Sequence, residues 1–130
     1  MAENPNIGPR QWSPLSAAFV GDGVYDLLLR EWLFRRGGHP AELHAKKAGL
    51  ASAAAQAGVA RRLLPLLTEE ERELYRRGKA AKPPHRPRSA TAEQYHGATG
   101  LEALFGFLYL SGREARVREL FAAVIDTFSL

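Results

Sequence analysis

Ala18-Phe19-Val20-Gly21-Asp22-Gly23-Val24-Tyr25-Asp26 lies inside a strongly apolar run from Leu15 to Leu33. Leu15, Phe19, Tyr25, Leu28, Leu29 and Trp32 recur at roughly helical spacing, which predicts one long helix. A helix this apolar is expected to be buried, yet Asp22 stands in its middle between Gly21 and Gly23. A glycine costs about 1 kcal/mol against alanine inside a helix. A buried carboxylate is expensive unless it is paired, protonated or bound to a metal. Glycines also let another segment or a ligand approach the backbone closely. Two readings are open: a functional acid at a tight contact, or a surface-facing Asp on a loosely packed helix, salt-bridged to a distant arginine.

Gly100-Leu101-Glu102-Ala103-Leu104-Phe105-Gly106-Phe107-Leu108-Tyr109-Leu110 has the same character: an apolar helix, a lone acid, and a glycine one turn later. If the two acids meet, they form an oxygen-rich site of the kind that suits Mg²⁺ or Mn²⁺.

These stretches resemble the ribonuclease III catalytic domain, and most closely its short Mini-ribonuclease III form, which lacks a double-stranded-RNA-binding domain. That form reads approximately A-Y-[IVL]-G-D-A-V-Y-E at the first site and T-G-F-E-A-L-I-G-Y-L-Y-L at the second. Here the second stands as Thr99-Gly100-Leu101-Glu102 and onward to Leu110. The resemblance runs from about Ser13 to Asp126, with both motifs in the right order. Gly23 replaces the usual alanine. Two further acids of full-length ribonuclease III are absent, their places held by Ala18 and Thr99; Mini-ribonuclease III looks similar at both.

Composition sets the outer limits. At 130 residues the chain is one domain. Ala and Leu far outnumber Val, Ile and Thr, which favours helices over sheets. There is no cysteine, hence no disulfide framework or thiolate metal site. No run of apolar residues is long enough for a transmembrane helix. The first residues lack the layout of a signal peptide, so a cytoplasmic protein with no membrane partner is expected. The net charge of +4 and pI near 9.8 permit a polyanionic partner.

Residues 1–12 read as a loose leader broken by Pro5, Gly8 and Pro9, and residues 13–130 as the folded domain. Ser13-Pro14 starts the first helix, which stops at Gly37-Gly38. His39-Pro40 starts a second. His39 and His44 have no third ligand at metal spacing and read as ordinary histidines. Ser52 to Leu67 reads as one alanine-rich helix. Thr68-Glu69-Glu70-Glu71 is a capping box, its acids a solvated helix start rather than a metal site. Thr91-Ala92-Glu93-Gln94 caps the helix that carries Glu102, and Val117, Leu120, Phe121, Val124 and Phe128 form the core stripe of the last helix.

Between Leu74 and Ala92 there is no acid, while Arg76, Arg77, Lys79, Lys82, Arg86 and Arg88 supply six of the chain's 18 lysines and arginines. Prolines keep residues 79–89 out of helix and sheet. This is either a solvated loop or, with His85, a mobile clamp for a phosphate backbone.

The resemblance implies an all-α ribonuclease III endonuclease fold working as a homodimer, with Phe19 inserted into the neighbouring subunit. It implies Mg²⁺-dependent hydrolysis of double-stranded or structured RNA, with Mn²⁺ a possible substitute. Products would carry a 5′-phosphate and a 3′-hydroxyl, and the natural substrate would be a 23S ribosomal RNA precursor. Asp22 and Glu102 would be catalytic and would hold the metal, with Tyr25 and Thr99 behind them. The alternative is a catalytically silent module that binds structured RNA or the ribosome.

Overall fold

The computed structural model describes residue 8, residues 11–81 and residues 90–128. They form six α-helices: α1 (Pro14–Arg36), α2 (Pro40–Leu50), α3 (Ala53–Leu63), α4 (Glu69–Ala80), α5 (Ala92–Leu110) and α6 (Glu114–Asp126). No strand occurs among the described residues, and the all-α expectation holds.

The helix starts follow from the capping chemistry. The Ser13 hydroxyl accepts from the Ser16 amide at 3.3 Å, with Pro14 at the first helical position. At Thr68 and Thr91 the hydroxyl accepts from the third helical residue, whose side chain accepts from the cap amide in return. The alanine-rich helix is shorter than expected. It ends at Leu63 and passes into a 3₁₀ turn over Leu64–Leu66. Pro65 is the reason, since it has no N–H to donate to an α-helical carbonyl. Conversely, α4, expected to end near Gly78, runs on to Ala80, so Lys79 and Ala80 are helical rather than part of the proline-bearing loop.

Helix α5 is the axis, with α1, α3 and α4 packed around it. Leu101, Ala103, Leu104, Phe105, Phe107 and Leu108 are sealed from solvent. Tyr25 of α1 packs edge-on against Phe105 and Phe121, with ring centroids 5.5 and 5.7 Å away. Trp12, at the end of the expected leader, stacks on Phe107 at 6.1 Å.

Helices α1 and α5 touch backbone to backbone. A Cβ added to Gly21 would lie 1.7 Å from the Glu102 carbonyl oxygen. One added to Gly106 would lie 1.8 Å from that of Ala17. Gly21 thus answers to α5 of the same chain, while no atom lies within 4 Å of a Cβ built on Gly23.

The acidic start of α4 is only partly solvated. Glu71 is 2% exposed and takes a paired hydrogen bond from Arg116, Nε and Nη2 each donating at 2.8 Å. The Arg116 hydrogen bonds lower the Glu71 carboxyl below its ordinary range, against the upward push of burial. Arg116 also ties α6 to the Leu66 carbonyl at 3.0 Å. Glu71 is a structural ion pair, with no part in the expected metal chemistry.

Gly106→Ala should destabilise the fold by roughly 3 kcal/mol or more, since overpacking typically costs 1–3 kcal/mol and here the obstacle is backbone. Gly49→Ala in α2, where nothing lies within 4 Å, should instead gain about 0.5–1 kcal/mol. Urea unfolding of the two variants checks both signs.

Candidate active site

The contact of α1 with α5 sets the two lone acids side by side. Asp22 lies one residue beyond Gly21 on α1, and Glu102 one turn before Gly106 on α5. They share a shallow pocket of about 260 Å³, lined also by Leu15, Ala18, Phe19, Tyr95 and Thr99. Asp22 is exposed and Glu102 is half-buried. The strain of a carboxylate near an apolar core therefore falls on Glu102, whereas the sequence pattern placed it on Asp22. Among the described residues Asp22 makes no salt bridge to an arginine. What faces it is a second acid.

Glu102 is pushed up to about 9, first by burial, then by its hydrogen bond with Asp22 and by the Asp22 charge; a hydrogen bond from Gln56 pulls it the other way. Glu102 thus keeps its proton at neutral pH while no cation is bound.

Tyr25 is 1% exposed, and its hydroxyl has no hydrogen-bond partner among the described residues. Burial, and secondarily the Glu102 charge, holds that phenol protonated well above its ordinary range. Thr99 is buried and donates its hydroxyl hydrogen to the Tyr95 carbonyl at 2.9 Å. Asp26, one turn beyond Asp22, is engaged elsewhere. It pairs with Arg30 at 2.6 Å and with Lys47 of α2 at 3.0 Å. Burial raises its pKa, but those two cations outweigh the effect and hold it low.

Two carboxylates are a donor set that fits a hard divalent cation. Mg²⁺ in particular keeps several waters and is commonly held by one or two protein carboxylates together with substrate phosphate. Among the described residues no cluster of three or more His, Cys, Asp and Glu could hold a metal, so these residues offer the two carboxylates and no all-protein cage. A larger cavity beside α4 is lined by Glu69, Glu70, Glu73, Arg76, Arg77 and Arg113. Its charges are largely paired, Glu70 with Arg113 and Glu73 with Arg76, each at 3.0 Å. It has no unneutralised acid pair.

The basic residues are spread differently. Arg76 carries the Glu73 pair at the surface. Arg77 donates to the Trp12 carbonyl at 3.0 Å and lies 5.2 Å over the Phe107 ring. Lys79 is exposed. Lys82, His85, Arg86 and Arg88 lie outside the described residues. Phe19 is 83% exposed and forms a stripe along the outer face of α1 with Leu27 and Phe34. His39 and His44 are exposed.

Gln56 is the residue that the pattern reading missed. It is 3% exposed, lies on the inner face of α3, and its amide reaches Glu102. The signal was present: among Gln56, Ala57, Val59, Ala60 and Leu63, the buried positions of α3, it alone is polar.

Comparison with known proteins gives a consistent picture. A family model described as the Ribonuclease III domain matches residues 15–113. The chain is 40% identical to Mini-ribonuclease 3 of Symbiobacterium thermophilum over 119 residues, covering 91% of this chain and 92% of that one. It is 41% identical to Mini-ribonuclease 3 of Brevibacillus brevis over 113 residues, covering 86% and 84%. A crystal structure of a Fusobacterium nucleatum protein superposes with a TM-score of 0.81 at 30% identity, covering 90% of this chain and 94% of that one.

An acid whose folded pKa stands above its ordinary value of 4.5 binds its proton more tightly in the folded chain than in the unfolded one. Its contribution to stability is complete below pH 4.5 and is lost as pH rises toward about 9. Asp26 and Glu71, held low, titrate below this window. The cation-free protein should therefore lose thermal stability across it, and Glu102→Gln should flatten the decline. Parallel melting curves for the two proteins from acid to alkaline pH would contradict a Glu102 carboxyl held protonated by its surroundings.

Proposed function

The chain belongs to the ribonuclease III family, within its Mini-ribonuclease III branch, and from that endoribonuclease membership we propose a divalent-cation-dependent enzyme that cuts structured RNA as a homodimer. The observation that carries the reading is the convergence of Asp22 and Glu102 in one pocket. Both stand in the two motifs that resemble the family's own.

Asp22 and Glu102 would hold Mg²⁺, or Mn²⁺ in its place, directly or through water. When bound, the cation supplies charge to neutralise the scissile phosphate and lowers the pKa of the attacking water. The protein's part is to present two oxygens at a fixed separation, one open to the substrate and one sheltered beneath it. Glu102 must give up its proton to serve as a ligand. Thr99 sets the floor of the pocket, and Tyr25 fills the space behind Glu102 with a phenol that stays neutral. The products carry a 5′-phosphate and a 3′-hydroxyl.

Phe19, Leu27 and Phe34 make one exposed apolar stripe on α1, the type of surface that a partner covers. A second copy of the chain is the partner proposed, with Phe19 inserted across the interface and one cutting site delivered to each strand. A-form RNA is recognised chiefly by shape, phosphates and 2′-hydroxyls. The segment that follows α4 leads into α5, whose Tyr95 and Thr99 line the acid pocket. Lys82, His85, Arg86 and Arg88 on that segment, together with Lys79 in the last turn of α4, are proposed to clamp the duplex backbone, with Arg76 and Arg77 at its base. The substrate proposed is the paired end of a 23S ribosomal RNA precursor.

Cleavage of a panel of structured RNAs with and without Mg²⁺ tests the reading directly. Asp22→Asn or Glu102→Gln should lower the rate by about three orders of magnitude, some 4 kcal/mol of transition-state stabilisation, while duplex binding persists. Replacing Lys79, Lys82, Arg86 and Arg88 together by alanine should instead weaken binding and reduce its log–log salt slope by about four units. A fully active Asp22→Asn enzyme would remove the metal assignment. Superimposable salt curves would remove the clamp.

Phe19→Glu should convert a dimer into monomers at micromolar concentration, because it sets a charge in an apolar interface. Sedimentation velocity reads the outcome, and a monomeric wild-type protein would refute the dimer.

A further inference from the structure

Every other buried residue of α3 is apolar. Gln56 sits among them at 3% exposure, its Nε2 donating to the Ala51 carbonyl at 3.2 Å. Its Oε1 is buried without a hydrogen-bond partner among the described residues. A buried amide left half-satisfied costs stability, and an apolar side chain of similar volume would fill the same space without that cost. Packing therefore does not account for an amide at this position.

Its surroundings do. Helix α3 is pressed against α5 where a Cβ on Gly97 would lie 3.1 Å from that of Ala57. Gln56, next to Ala57, is buried on the face of α3 that meets α5, and its amide lies close enough to Glu102 to favour that carboxyl's charged form. Glu102 has a long, rotatable side chain, and the acid beside it repels it once both are ionised. A ligand carboxylate needs an outer partner to fix its orientation. A lysine or arginine in that place would pair with the carboxylate and compete with a bound cation. A neutral amide donates a hydrogen bond without competing.

We propose that Gln56 is a positioning residue: anchored through the Ala51 carbonyl, its amide aims the Glu102 carboxylate toward Asp22 and the cation they share. The inference rests on the cation-dependent reading of the site given above. It also links the junction of α2 and α3, where Ala51 lies, to the geometry of the pocket.

The test is Mn²⁺ binding, followed by electron paramagnetic resonance, in the intact wild-type protein, Gln56→Met and Asp22→Asn. Gln56→Met keeps the volume and removes the amide. It should weaken Mn²⁺ by about tenfold or more and raise the Mg²⁺ concentration for half-maximal cleavage, while the KM for duplex RNA and the helical circular dichroism stay unchanged. A side chain with only a packing role would move none of the cation readouts. If Gln56→Met binds Mn²⁺ as the wild type does while Asp22→Asn loses it, the cation site stands and this inference falls. If the wild type takes no Mn²⁺ at all, the cation reading fails and carries this inference with it. Gln56→Leu is measured alongside. If both variants unfold, the amide is structural and the proposal is overturned.

Discussion

Backbone contact between α1 and α5 is the constraint on which the rest depends. Gly21 presses on the Glu102 carbonyl and Gly106 on the Ala17 carbonyl, with no room for a side chain at either place. Close packing of this kind leaves a helix pair little freedom to slide or turn, because each glycine fits only beneath its own partner carbonyl. The pair is therefore locked in register. Asp22 and Glu102 inherit that register, each within one turn of a contact glycine. Two acids eighty residues apart in sequence thus share one pocket, without any loop having to hold them there.

The cost of the arrangement is electrostatic and falls unequally. Asp22 faces solvent, whereas Glu102 bears both desolvation and the neighbouring charge. Without a cation Glu102 settles by keeping its proton. A divalent ion in the proposed site would replace that proton, so binding and proton release are coupled. Two other partly or fully buried acids are kept out of this chemistry. Asp26 is engaged by Arg30 and Lys47, and Glu71 by Arg116. Among the described residues, ionic pairing thus engages Asp26 and Glu71 and leaves Asp22 and Glu102 facing each other, even though the chain as a whole is basic.

Much of this was legible in the sequence because it rests on local rules. Serine and threonine caps, Pro14, Gly37-Gly38 and the stripe of α6 marked the helices by chemistry that acts within a turn or two. The two acid–glycine motifs identified the family and the pair of acids together. What was not legible depended on distant packing. The apolarity of α1 did not say which of its faces the same chain would cover: Phe19, Tyr25 and Leu29 belong to one apolar pattern, yet Tyr25 and Leu29 are buried and Phe19 is 83% exposed. The third acid of Thr68–Glu71 looks solvated until Arg116 arrives from α6. Gln56 looks like a minor polar interruption of an alanine run until α3 is laid against α5. Pro65 is different in kind. Its effect on the end of α3 was a local rule, available in the sequence and passed over.

Anomalous diffraction from crystals of the wild-type protein equilibrated with Mn²⁺ tests the central claim most directly. The account predicts a manganese peak between the carboxyl groups of Asp22 and Glu102, with Gly21 and Gly106 still seated against the opposite helix. Manganese bound elsewhere, with these two carboxyls empty or turned apart, would contradict it.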